Sequence, residues 1–150
     1  MMLVGSTTSG KTTLTQALYG QALKYKKTQA LEYSQYILDT PGEFVENRRF
    51  FAALMSASVD YKVIGLVHDC TRKQNQIPPG FASMFNREMI GIITKIDSDK
   101  ADPGFSHKVL KQQFPQTRFR LAHFQLIKND FIADEQSQTA AISAVGFNDR

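Results

Sequence analysis

Gly5-Ser6-Thr7-Thr8-Ser9-Gly10-Lys11-Thr12 decides the fold of this 150-residue chain. Two glycines enclose four residues and are followed by a lysine and a hydroxyl, the spacing of a phosphate-binding loop, or P-loop. In such a loop glycine lets the backbone turn tightly, so that successive amide hydrogens converge on phosphate oxygens, and the helix that follows offers its positive end. The candidate nucleotide contacts here are Gly5, Ser9, Gly10, Lys11, Thr12 and Thr13. Lys11 is expected to reach the β- and γ-phosphates, and the Thr12 hydroxyl to coordinate Mg2+, a cation that takes oxygen ligands. Both are therefore expected to take part in catalysis. A chance match would lack the flanking elements, and both are legible. Residues 1–4 read as a buried strand, and from 11 to about 25 the residues Leu14, Ala17 and Leu18 fall on one helical stripe.

Working outward, 29–33 and 35–39 read as two short extended segments joined closely enough to pair antiparallel. Residues 47–58 carry Phe50, Phe51, Leu54 and Met55 at helical spacing and predict a core-facing helix. Val63-Ile64-Gly65-Leu66-Val67 reads as a second buried strand. Ile77-Pro78-Pro79-Gly80 forces a loop, with a short helix starting in 81–85. Met89-Ile90-Gly91-Ile92-Ile93 is the third buried strand. Continuous apolar runs separated by helical patterns predict an α/β fold, a mostly parallel sheet with helices on both faces. Past Asp97, Phe105, Val109, Leu110 and Phe114 predict a helix stopped by Pro115, and Leu121, Phe124, Ile127 and Phe131 repeat the helical spacing. A final strand is expected over 139–145, after which the closing carboxyl-terminal helix of a doubly wound domain is missing or divergent. The length suits one domain over 1–150, since two halves would each bury too little apolar surface.

Asp39, at a strand end, is where a second acidic group approaches the magnesium, and Gly42 is expected to offer its amide to the γ-phosphate. Taken alone, Asp39-Thr40-Pro41-Gly42 is merely a good turn; behind a P-loop it reads as a γ-phosphate sensor. Glu43 follows where a water-orienting residue sits in catalytic GTPases, although an acid near a helix start is an equal reading. Thr28 is a candidate third magnesium ligand, or an ordinary loop threonine. Thr94-Lys95-Ile96-Asp97 ends the third strand. The Asp97 carboxylate suits the two donors of guanine, the Lys95 stem would lie along the base, and Thr94 belongs to the same motif. Ser143-Ala144 is a weak match to a guanine-oxygen contact. Arg48 and Arg49 read as solvated helix charges rather than an arginine finger. His68 and Cys70 share a strand face but are too few for a zinc site.

Hydrophobic residues make up 42% of the chain and charged residues 21%, near globular averages. With no long apolar run or secretory leader, no membrane is implied and a cytoplasmic protein is expected. The net charge of +4 is dispersed, so nucleic-acid binding is not demanded. The single cysteine, Cys70, cannot form an internal disulfide.

Together, Tyr25-Lys26-Lys27-Thr28-Gln29-Ala30, Asp39-Thr40-Pro41-Gly42-Glu43, Asn47-Arg48-Arg49-Phe50, the stretch from Pro79 through Phe85 and that from Gly91 through Asp97 resemble the EutP/PduV family. The resemblance covers about the first two thirds of the chain and is carried partly by stretches between the nucleotide motifs. It implies a Ras-like P-loop NTPase fold, a nucleoside triphosphate (ATP or GTP) as ligand, and a role in ethanolamine or propanediol utilisation alongside bacterial microcompartments. Members resembling the ethanolamine version are assigned ATP-dependent acetate kinase activity. Those resembling the propanediol version are linked to positioning of the shell, which makes a shell protein a candidate partner. Three readings follow: a slow Mg2+-dependent NTPase, an ATP-dependent acetate kinase in which Arg48 or Arg49 holds the acid, and a non-enzymatic docking module.

Overall fold

The computed structural model describes residues 1–19, 32–33, 37–114 and 120–123, the backbone alone at 32–33 and 120–123. Strand β1 (Met2–Val4) is fully buried and runs into the glycine-bearing loop, which opens helix α1 (Lys11–Leu18). Helix α1 ends at Leu18 with Tyr19 as its cap, and the remainder of the helix expected to about 25 lies outside the described residues. Strands β2 (Glu32–Tyr33) and β3 (Leu38–Asp39) pair antiparallel, as their patterning predicts. Strands β4 (Val63–Asp69), β5 (Glu88–Thr94) and β6 (Arg120–His123) complete a six-stranded sheet in the order β2-β3-β1-β4-β5-β6. All neighbours but β2 and β3 are parallel.

The strands read as unbroken apolar runs because both sheet faces are covered. On one face Met2, Val4, Ile64, Leu66 and Ile93 pack with Leu54 of helix α3 (Phe51–Ser58) and with Val109 and Leu110 of helix α4 (Pro103–Gln113). On the other face Leu3, Val67 and Ile92 meet Leu14 of α1. Helix α4 begins as its sequence dictates, with the Asp102 carboxylate accepting the Phe105 amide at 2.8 Å and Pro103 in the first turn.

Two expectations are corrected. The helix predicted over 47–58 is present, but its first turn is 3-10 and only Phe51–Ser58 is α-helical. A separate single turn, α2 (Glu43–Glu46), precedes it; Asn47 is extended and its side chain accepts the Arg49 amide at 3.2 Å, opening the 3-10 turn at Arg48–Phe50. Leu54 is fully buried, but Met55, expected in the core, is 42% exposed, since adjacent residues of a helix point about 100° apart. Leu121, expected to head an amphipathic helix, lies instead in β6, paired with Gly91 of β5. A short apolar run fits either period, and the open edge of β5 satisfies its backbone groups as a strand. Phe124, Ile127, Phe131, the strand expected over 139–145 and the closing carboxyl-terminal helix lie outside the described residues.

Candidate functional site at the carboxyl edge of the sheet

Strands β1, β3, β4 and β5 all present their carboxyl ends to loop 5–12, the edge at which parallel α/β sheets hold their ligands. Gly10 has a φ of 94°, left-handed backbone that glycine adopts freely, and it caps α1. Lys11 is only 5% exposed, and its ammonium donates to the carbonyls of Gly5 at 2.8 Å and Ser6 at 2.9 Å and to Ser9 Oγ at 3.3 Å. Burial lowers its pKa to about 8, although Asp39 and Glu46 pull it back up. The ammonium thus folds back on its own loop. Thr13 is half-buried in the first turn of α1.

Thr12 Oγ1 donates to Asp39 Oδ2 at 2.5 Å, across 27 positions of sequence. A hydroxyl and a carboxylate side by side form an oxygen donor set of the kind that, with substrate phosphates, holds Mg2+. These two residues fit that ion. Thr28 and Ser143-Ala144 lie outside the described residues. Thr40 donates to the Leu3 carbonyl at 2.7 Å and so ties the turn after β3 to β1. Gly42 abuts the loop so closely that a Cβ there would collide with the backbone of Ser6 and Thr7. Glu43 stands exposed at the start of α2. Arg48 and Arg49 are exposed, the Arg49 guanidinium lying 4.9 Å over the Phe50 ring.

The motif after β5 closes the other side of the loop. Thr94 Oγ1 donates to the Ser9 carbonyl at 2.6 Å and to the His68 carbonyl at 3.2 Å. Lys95 holds a φ of 58°, uncommon for a side-chain-bearing residue. Its ammonium bonds the Thr8 carbonyl at 2.9 Å and Asp69 Oδ2 at 2.6 Å. Asp97 stands exposed in the turn beyond. His68 Nδ1 lies 2.9 Å from Ser106 Oγ of α4, and burial lowers the pKa of the imidazole.

Three residues at this edge escaped the motif reading. Asp69 ends β4 and accepts Lys95, the Thr71 amide at 2.9 Å and the Thr71 hydroxyl at 2.6 Å. Burial alone would raise its pKa, but those hydrogen bonds outweigh it and keep the carboxyl below its ordinary value. Arg72 donates to the Thr7 carbonyl at 3.2 Å and to Thr8 Oγ1 at 2.6 Å. Glu46 accepts the Thr7 amide at 2.8 Å. Asp69 had one sequence signal, its place at the end of a buried strand, as Asp39 and Thr94 end theirs. Glu46 and Arg72 had none, since 39 and 65 positions separate them from Thr7.

A sheet of this order with a phosphate-type loop between β1 and α1 defines a Ras-like P-loop protein. Two solved structures share the fold: the Arl6 BBS3 small GTPase of Trypanosoma brucei with a bound nucleotide analogue (TM-score 0.55, 14% identity, covering 97% of this chain and 99% of that one) and a GTP-binding protein of Sulfolobus solfataricus in complex with GDP (TM-score 0.53, 17% identity, covering 96% and 51%). Within that class the chain belongs to the PduV-EutP family, ethanolamine utilisation and propanediol utilisation, whose sequence model matches residues 1–129. It is 42% identical over 97 residues to the propanediol utilization protein PduV of Citrobacter freundii, the alignment covering 65% of each chain. That is just under two thirds of the relative's length. It is also 33% identical over 129 residues to the "Probable acetate kinase EutP" of Escherichia coli, covering 85% of this chain and 79% of that one. Among the described residues no helix is long and apolar enough to cross a membrane.

Proposed function

We propose that this chain, folded as one domain, binds a nucleoside triphosphate with Mg2+ at loop 5–12 and hydrolyses it slowly, in ethanolamine or propanediol utilisation and in association with a microcompartment shell. One observation carries the reading: the Lys11 ammonium is buried on the carbonyls of the loop, beside the Thr12–Asp39 pair. Such an ammonium, turned from carbonyl to phosphate oxygen, neutralises charge on a transferred phosphoryl group, while loop amides position it. Thr12 and Asp39 would hold Mg2+, which would supply further positive charge against the phosphates. Gly42 would receive the γ-phosphate on its amide and Glu43 would orient the attacking water. Thr94 and Lys95 brace the loop, and the exposed Asp97 is free to accept the paired donors of guanine.

Titration of the purified protein with fluorescent GDP and ADP analogues in Mg2+ tests this reading. Guanine binding that weakens in Asp97→Ala and falls about 10- to 100-fold in Lys11→Ala supports it; binding of neither base refutes it. The identity to the Escherichia coli relative supports a second reading, ATP-dependent phosphorylation of acetate, with the acid beside Lys11. Acetyl phosphate formed from ATP but not from GTP would select that reading and retire guanine.

A further inference from the structure

Helix α2 touches the loop at two points. Gly42, at its start, is packed against the Ser6 and Thr7 backbone with no space for a side chain. Glu46, at its end, places a carboxylate oxygen 2.8 Å from the Thr7 amide nitrogen. The next peptide unit is held as well, the Thr7 carbonyl accepting Arg72 at 3.2 Å. Both peptide units of Thr7 are thus engaged by charged side chains.

Amides of this loop are the groups that would receive phosphate oxygens, and an amide has one hydrogen to give. A carboxylate on the Thr7 amide stands where a phosphate oxygen would otherwise be held, and the two anions repel each other. Glu46 also acts on the Lys11 ammonium, the cation that would otherwise serve the terminal phosphate. A diphosphate would be held toward Gly10 and Thr12 at the start of α1, with its base at the exposed Asp97.

We propose that Glu46 is a specificity-determining residue that sets the balance between nucleoside diphosphate and triphosphate. With Glu46 on the Thr7 amide the site accepts a diphosphate, whereas a terminal phosphate must displace the carboxylate and carry α2 off the loop. The inference rests on the nucleotide-binding reading above and deepens it by naming the residue that weighs the third phosphate against the loop amide.

The test uses the full chain with fluorescent GDP, ADP and the non-hydrolysable GTP and ATP analogues, all in Mg2+. Glu46→Gln keeps an acceptor oxygen of the same size and removes the charge. It should shift the ratio of triphosphate to diphosphate affinity about tenfold toward triphosphate, the scale of one hydrogen bond to a charged group. In the unaltered chain, amide hydrogen exchange over 43–50 should be faster with the triphosphate analogue than with the diphosphate, which decides the matter if the variant misfolds. An unchanged ratio, or equal exchange in the two complexes, overturns the role of Glu46 while leaving nucleotide binding intact. Failure of the unaltered chain to bind any of the four ligands overturns both.

Discussion

Among the described residues Lys11 carries the sharpest consequence of burial. Its pKa is lowered from 10.5 to about 8, chiefly by desolvation. Between those values the unfolded chain binds more protons than the folded one, so stability rises with pH there. Holding the ammonium in the loop therefore costs stability below pH 8, and the cost fades above it. An anion at the loop reverses the balance, because phosphate favours the charged lysine. Nucleotide affinity should therefore be full below pH 8 and weaken above it, measured by fluorescence titration at pH 7, 8 and 9; Lys11→Ala should bind about 10- to 100-fold more weakly and lose this pH dependence. His68 works in the same direction at lower pH. Burial and Arg72 lower its pKa below 6.5 while Asp69 opposes them. The unfolded chain then binds more protons as pH falls through 6.5, and stability drops. Thermal melts at pH 7.5 and 5.5 should show a smaller acid loss in His68→Asn, which retains a polar partner for Ser106.

The elements differ in what holds them. Helix α3 depends on Leu54, fully buried against the sheet, while Met55 beside it is 42% exposed. Leu54→Ala should cost about 2–5 kcal/mol through lost burial and the cavity left behind. Met55→Ala should stay within about 0.5 kcal/mol. Urea denaturation of the two variants would separate them, and equal losses would contradict the packing described. Helix α4 is set by its first turn, so Asp102→Ala, which removes the acceptor for the Phe105 amide, should cost about 1 kcal/mol. The patterning of α4 was legible because Val109 and Leu110 sit on a single regular stripe stopped by a proline. The 3-10 form of the turn ahead of α3, at Arg48–Phe50, was not, because apolar spacing over one turn does not separate it from an α-helix.

For the molecule as a whole, the sheet's carboxyl edge couples the site to the fold. Thr94 and Lys95 tie β5 to the loop, Thr40 ties the turn after β3 to β1, and the Thr12–Asp39 pair joins α1 to β3. A ligand gripping loop 5–12 should therefore stabilise the global fold rather than one segment. At a free concentration about 100 times its Kd, a nucleotide should add about 2.7 kcal/mol, seen as a rise in melting temperature. Removal of Mg2+ with a chelator should shrink the triphosphate effect, and Asp39→Ala should make the protein insensitive to the chelator.

The sequence by itself determined the loop, the α/β class, the parallel strands and the contiguous motifs around Lys11, Asp39 and Lys95, because each rests on local spacing and on apolar runs whose burial on both faces admits one architecture. Only the tertiary structure decided that Glu46 and Arg72 meet at Thr7, that Asp69 receives Lys95 from the neighbouring strand, that Met55 turns outward, and that residues 120–123 extend the sheet. Those outcomes depend on which distant backbone or charged groups come within hydrogen-bonding reach once the sheet has closed. No periodicity along the chain encodes a contact between side chains and amides dozens of residues apart.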